Sequence, residues 1–214
     1  MSHATVVVAI DVPIDACGMA EVEKAVEHEM EPFDEEGGWF ADGSRWDWYQ
    51  IGGRWPDFFG PASHAMVRKG EFNSAAYREW RQREAEEWWE AGSKLPPGDL
   101  RRYFQFDIRS EDTTREIYLA RKVPQHGWPV PRAFLRERHW HEGRRMGWFG
   151  VDAASECEMK KKPGKTKRCL TKGKNGARIV TWQEEDAEWY AAYFDRFIKP
   201  LPPETLLVAV DYHV

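Results

Sequence analysis

The chain has 214 residues, a length that suits one domain with insertions and can bury a core without disulfide or metal staples. Its net charge of −5 hides an asymmetry: nine basic residues and no acid lie between Met159 and Val180, so the rest of the chain carries −14 and is poorly suited to wrapping nucleic acid over a broad surface. Cys17, Cys157 and Cys169 are odd in number and lack CxxC spacing, which argues against a secreted disulfide framework, and no stretch approaches the ~18 apolar residues of a membrane span.

In chain order, the β-branched run Thr5–Val12 predicts a buried strand ending at Pro13. The start MSHATVVVAIDVP has neither a basic n-region nor a long apolar run, so no secretory leader is expected. Asp15 then reads as the cap of a helix to about Met30, with Met19, Val22, Val26 and Met30 on one face. Trp46–Phe59 reads as strand or extended loop broken by Gly52-Gly53 and Pro56. Asn73 or Ser74 opens a second helix to about Ala91, and Leu95–Asp99 is a turn.

Phe104–Ile108 and Ile117–Val123 read as strands, followed by a short extended piece with Trp128 and Val130 and a short helix within Pro131–His141. A basic insertion at about 159–178 reads as a solvated loop. Thr181 with Glu184 forms a capping box, and Ala187, Tyr190, Ala191, Phe194, Phe197 and Ile198 form an apolar stripe. Leu206–Val214 is a last strand that resembles the first. The order implies an α+β fold over 1–214, with a mixed sheet that includes both terminal strands, helices on a face, and a ferredoxin-like core as one option.

The unusual residues fall between these elements. Tryptophan has 12 copies, more than Phe (11) or Tyr (7), and four lie from Trp39 to Trp55. Core building rarely needs so much Trp, because each buried indole N–H requires a partner. The stretch Gly37–Phe59 sets Arg45, Asp47 and Arg54 among Trp46, Trp48, Tyr49 and Trp55. Strand alternation would place Trp46, Trp48 and Gln50 on one face and Asp47, Tyr49 and Ile51 on the other. Gly52 and Gly53 let backbone N–H groups approach a ligand, Arg54 can clamp a phosphate, and an indole can stack on a base. The alternative is a Trp-rich core strand with an Asp–Arg pair pinning a loop.

Two further motifs stand out. In HWHEGRRMGWFG, Met146, Gly147, Trp148 and Phe149 read as a pocket wall or as a core plug. His139 and His141 share a strand face and form a weak metal alternative beside a plainer reading as an exposed turn. At the C-terminal strand, Asp211 is placed to orient His213 for acid–base work, or simply to hold it at a strand end. No Walker loop, GxGxxG, GxSxG or HExxH is present, so no cofactor is implied.

Together, WDWYQIGGRW (Trp46–Trp55), MGWFG (Met146–Gly150) and the terminal VAVDYHV resemble a family of small phage- and prophage-encoded proteins. Those proteins carry WDWxxIGGRW and MGWxG blocks and end close to VVDCHI, and the resemblance runs essentially from end to end. The chain departs from them at Tyr212, where Cys is expected, and in the basic insertion. The resemblance implies a phage accessory protein in the cytoplasm of an infected bacterial host.

Joined to the Trp and Arg motifs, the resemblance leads to an expected counter-defence protein that sequesters a cyclic or ADP-ribose-type nucleotide immune signal. The expected ligand set is Arg45, Trp46, Asp47, Trp48, Tyr49, Gly52, Gly53, Arg54, Trp55, Met146, Gly147, Trp148, Phe149 and His213. Two alternatives stay open: a phosphodiesterase using His213 with Asp211, and an interaction module that blocks a host protein. No membrane partner is expected, and a symmetric homo-oligomer is compatible with all three.

Overall fold

The first β-branched run lies in β1 (His3–Ile10), a strand of eight residues that begins before Thr5, ends before Asp11 and is buried from Ala4 onward. The computed structural model describes residues 3–12, 18–34, 45–106, 108, 113–143 and 182–213, with backbone only for 103, 104 and 182–187. After β1 come α1 (Met19–Met30), β2 (Trp48–Ile51), β3 (Met66–Arg68), α2 (Ser74–Ser93), α3 (Leu100–Gln105) and α4 (Arg115–Lys122). The hairpin strands β4 (Ala133–Arg136) and β5 (His139–Glu142), helix α5 (Trp182–Tyr193) with a π turn over Phe194–Ile198, and β6 (Leu206–His213) complete the fold. Among the described residues no helix is long and apolar enough to cross a membrane.

The sheet order is β2-β6-β1-β4-β5, and β3 pairs with the first half of β6. β1 and β6 run antiparallel over their full length, from His3 opposite His213 to Ile10 opposite Leu206. β1 and β4 are parallel neighbours, so the sheet is mixed and the fold is α+β. The ferredoxin-like option is met in the order β1-α1-β4-β5-α5-β6 but not in the pairing. A split β-α-β arrangement would leave a strand between β1 and β4, and here they touch.

Both terminal strands are apolar on both faces because each face is covered. Val6, Val8 and Ile10 pack with Val208 and Val210 against Val22, Val26 and Met30 of α1. Val7, Ala9, Leu207 and Ala209 pack with Phe134 against Tyr193, Phe197 and Ile198 on the other side. Each such aliphatic side chain contributes about 1.5–3 kcal/mol through burial. Met19 is exposed, since it lies in the first turn of α1, beyond the covered part of the sheet. The buried stripe of the last helix is Trp189, Tyr193 and Phe197, spaced by four, while Tyr190 and Ala191 face outward. The Trp189 indole N–H donates to the Pro131 carbonyl at 2.9 Å, which sets that rotation.

Several local expectations are corrected. Residues 100–105 and 115–122 are helical, where strands over 104–108 and 117–123 were expected. Side-chain capping decides this: Asp99 accepts from the Arg101 N–H and Thr114 from the Ile117 N–H, which starts each helix. Their apolar residues then pack on α2, with Tyr118, Leu119 and Ile108 against Ala85 and Trp89. Asn73 caps α2 by accepting from the Ala76 N–H.

The stretch 131–141 holds the β4–β5 hairpin instead of a helix. Its two turn residues, Glu137 and Arg138, both have positive φ, as such tight hairpin turns require. Neither is glycine, and the turn is held by the Arg138 N–H donating to Glu29 and its guanidinium reaching His28 and Glu31. Trp128 lies in irregular chain between α4 and β4, its ring 4.0 Å from that of Phe72. The N-cap position of α1 is Gly18. Asp15, Thr181 and the basic insertion lie outside the described residues.

Candidate functional site

Alternation along two adjacent central strands puts polar residues on one face where β1 begins and β6 ends. His3 lies opposite His213 and Thr5 opposite Asp211, on the face that bears Val7 and Ala209 further in. Asp211 is only 2% exposed, a burial that a carboxylate tolerates only with good partners. It has two. His3 Nδ1 donates to Asp211 Oδ1 at 3.0 Å, and the Arg54 backbone N–H donates to Oδ2 at 3.2 Å.

His213 is served separately. Its Nδ1 donates to Asp47 Oδ1 at 2.6 Å, while the Asp47 N–H donates to the His213 carbonyl. The expected Asp211–His213 pairing is therefore replaced by two crossed His–Asp pairs. Residues i and i+2 lie about 6.6 Å apart along one strand, whereas cross-strand and edge neighbours are closer, so the shorter reach wins. An ionised carboxylate only accepts, so each imidazole carries its proton on Nδ1 and leaves Nε2 for something else. The two ring centroids are 5.2 Å apart.

β2 brings the aromatic motif to this point. Trp48 pairs with His213 and Gln50 with Asp211, so both sit on the same face of the edge strand. The Trp48 ring stands edge-on to His3 with centroids 6.1 Å apart, yet it keeps 45% of its surface in solvent. Beyond Ile51 the chain leaves the sheet and returns at Ala65, with Gly52 N–H donating to the Ala209 carbonyl and Ala209 N–H to the Ala65 carbonyl. Gly53, at φ +47°, turns the chain over Asp211, where a Cβ would sit 2.4 Å from the Asp211 Cβ. Only glycine satisfies both conditions. This turn brings Arg54 to Asp211 through its backbone and leaves its side chain exposed. Trp55 closes the turn by donating its N–H to the Gly52 carbonyl.

The other expected ligand residues separate from this group. Asp47 is a bend, so regular alternation begins only at Trp48, and Trp46 joins Tyr49 and Ile51 on the α1 side. The Trp46 indole donates to the Met30 carbonyl and stands perpendicular to the Tyr49 ring at 4.9 Å, a core role for both. Arg45 pairs through Nε with Glu142 at 3.5 Å and acts on Tyr212, also on that side. Burial, reinforced by Glu142, pushes the Tyr212 phenol far up against the pull of Arg132 and Arg45. Tyr212 thus fills the core edge-on to Trp140, and position 212 faces away from the two imidazoles.

Met146, Gly147, Trp148 and Phe149 lie outside the described residues. His139 is exposed and its Nδ1 donates to the Glu137 carbonyl, while His141 packs on the Phe197 ring. Burial, then Arg196 and His139, hold the His141 imidazole below its usual range. Among the described residues no group of three or more His, Cys, Asp or Glu side chains is arranged to hold a metal. A groove of about 450 Å³ along α2 is lined by Arg83, Glu86, Glu87, Glu90 and Lys94. Its mixed charges largely cancel and it shares no residue with the His–Asp pairs, so chemistry points to the sheet end instead.

No family model, curated protein or solved structure matches this chain. The site must be read from its own geometry. That geometry includes one residue absent from the expected set, His3. Its signal was present: two similar terminal strands, with His near the start of one and the end of the other, bring those His side by side once paired antiparallel.

Proposed function

We propose that the His3–His213 end of the sheet binds a small anionic, nucleotide-like ligand. The observation that carries this reading is the convergence of two motifs distant in sequence, WDWYQIGGRW and VAVDYHV, in direct strand pairing. They bring Trp48, His3 and His213 together, with the Arg54 backbone bound to Asp211 beside them. An indole face accepts a base, with stacking worth about 1–3 kcal/mol. Arg54 offers a planar fork for a phosphate, and each Nε2 can meet a phosphoryl oxygen. The motif resemblance supports placing the protein among phage counter-defence factors, and the ligand among cyclic or ADP-ribose-type immune signals that capture would remove.

The test is calorimetric titration with 3′,3′-cyclic di-AMP, 2′,3′-cyclic AMP and ADP-ribose. Binding of at least one is expected, and Arg54→Lys should weaken it about tenfold although the charge is kept, because the fork is lost. The melting temperature should stay within a degree or two, since Arg54 joins the fold through its backbone. A sharp fall in melting temperature with affinity intact would make Arg54 a structural pin and remove it from the site.

A further inference from the structure

We infer that this site also cleaves what it binds: His3 and His213 form an acid–base pair for hydrolysis of a nucleotide phosphodiester. The inference rests on the binding reading above and adds turnover to it. Its ground is the arrangement of the two rings. Each donates Nδ1 to its own carboxylate, Asp211 for His3 and Asp47 for His213. A ligand-capturing surface needs cationic or aromatic groups, but it has no need for two imidazoles that are each fixed in tautomer and orientation by a carboxylate. That arrangement is what proton transfer at Nε2 requires. The centroids are 5.2 Å apart, a separation that suits one shared phosphoryl group, two of whose oxygens would accept hydrogen bonds of about 2.7–3.0 Å from the two Nε2 atoms. Both rings keep part of their surface in solvent, at 20% for the His3 side chain and 11% for that of His213, so a ligand has access to them.

The reaction balances with water as the only co-reactant. One imidazole, neutral, takes a proton from water at Nε2 as the water oxygen bonds to phosphorus. The bond from phosphorus to the ester oxygen breaks with its electron pair on that oxygen, and the second imidazole, protonated, gives it the Nε2 proton. The products are a phosphomonoester and an alcohol, and proton exchange with solvent resets the pair. Asp211 and Asp47 are positioning residues, since they touch the imidazoles and not the reacting atoms. Trp48 holds the base beside His3, which selects nucleotide esters over simple dialkyl phosphates.

The same protein is incubated with 2′,3′-cyclic AMP and with 3′,3′-cyclic di-AMP, and the products are separated by chromatography while binding is followed by calorimetry. Cleavage to a phosphomonoester is expected. His3→Gln and His213→Asn should each lower kcat at least about 100-fold, the scale of a lost general acid or base. Asp47→Asn should lower kcat with little change in KM, a split that a merely structural role would not give. His139→Gln, at an exposed imidazole on β5, should leave kcat unchanged. Thermal melts of each variant guard against unfolding, and the wild-type result stands independently of them. Binding with no product from either probe would overturn the inference and leave the binding reading intact. Product formation unaffected by both histidine variants would also overturn it. No binding and no product would sink the two together.

Discussion

Replacing Asp211 by alanine should lower stability by about 2–4 kcal/mol and abolish ligand binding. The carboxylate is buried and accepts from two donors, the His3 Nδ1–H and the Arg54 N–H. Deleting an acceptor while leaving its donors in place costs about 1–3 kcal/mol for each stranded group. His3 would also lose the bond that orients it, and the Gly53 turn would lose its anchor. Chemical denaturation and calorimetry on Asp211→Ala check both halves. Asp211→Asn separates them, because an amide oxygen can satisfy one donor, so it should recover part of the stability but not the tautomer control. Full stability with lost binding in Asp211→Ala would show that the site is less tightly built than the geometry indicates.

Gly53→Ala should be at least as damaging, and Gly98 provides its control. Both glycines have positive φ, at +47° and +80°, so alanine at either takes the left-handed penalty of about 1–2 kcal/mol. At Gly98 the new Cβ meets nothing within 4 Å. At Gly53 it would sit 2.4 Å from Asp211 Cβ and 2.6 Å from Asp211 Oδ2, and both central strands prevent Asp211 from retreating. The expected cost at Gly53 is about 3–5 kcal/mol, with the turn displaced and binding lost. At Gly98 only the backbone term of about 1–2 kcal/mol should appear, with binding unchanged. Equal losses at the two positions would show that the close approach to Asp211 is relaxed in solution.

The elements legible in the sequence were those whose signal is local and continuous. β1 and β6 carry the continuous apolar runs Val6–Ile10 and Leu206–Val210, α1 shows its buried positions at Val22, Val26 and Met30, and α2 shows its Asn73 cap. The elements misread were those where local capping or a turn outweighed composition. Ile117, Tyr118 and Leu119 favour a strand by type, yet the Thr114 cap and the α2 surface make them a helix. The Pro131–His141 stretch became a hairpin through a turn of two non-glycine residues, held by contacts to α1 that are more than 100 residues away in sequence.

The site was half legible for a similar reason. Its motifs are compact in sequence, but their sidedness depends on where regular alternation starts. A single bend at Asp47 sends Trp46 to the α1 side and Trp48 to the side that bears His3 and His213. The partner of each histidine depends on strand register. Composition carries no register, so the likeness of the two terminal strands pointed to His3 only once they are paired antiparallel, and Asp211 was matched to the wrong imidazole.

The claim that two crossed His–Asp pairs form one ligand site is tested most directly by NMR of the imidazole nitrogens. The protein is labelled with ¹⁵N-histidine, and His3→Gln and His213→Asn assign the two resonance pairs among the seven histidines. Titration with 3′,3′-cyclic di-AMP, 2′,3′-cyclic AMP or ADP-ribose should move the Nε2 signals of His3 and His213 together, along one binding curve, with their Nδ1 signals still those of nitrogen bonded to hydrogen. His139, on the far edge of the sheet, should stay still. Ligand binding that leaves both Nε2 signals unmoved, or that shifts only one of them, would contradict the shared site.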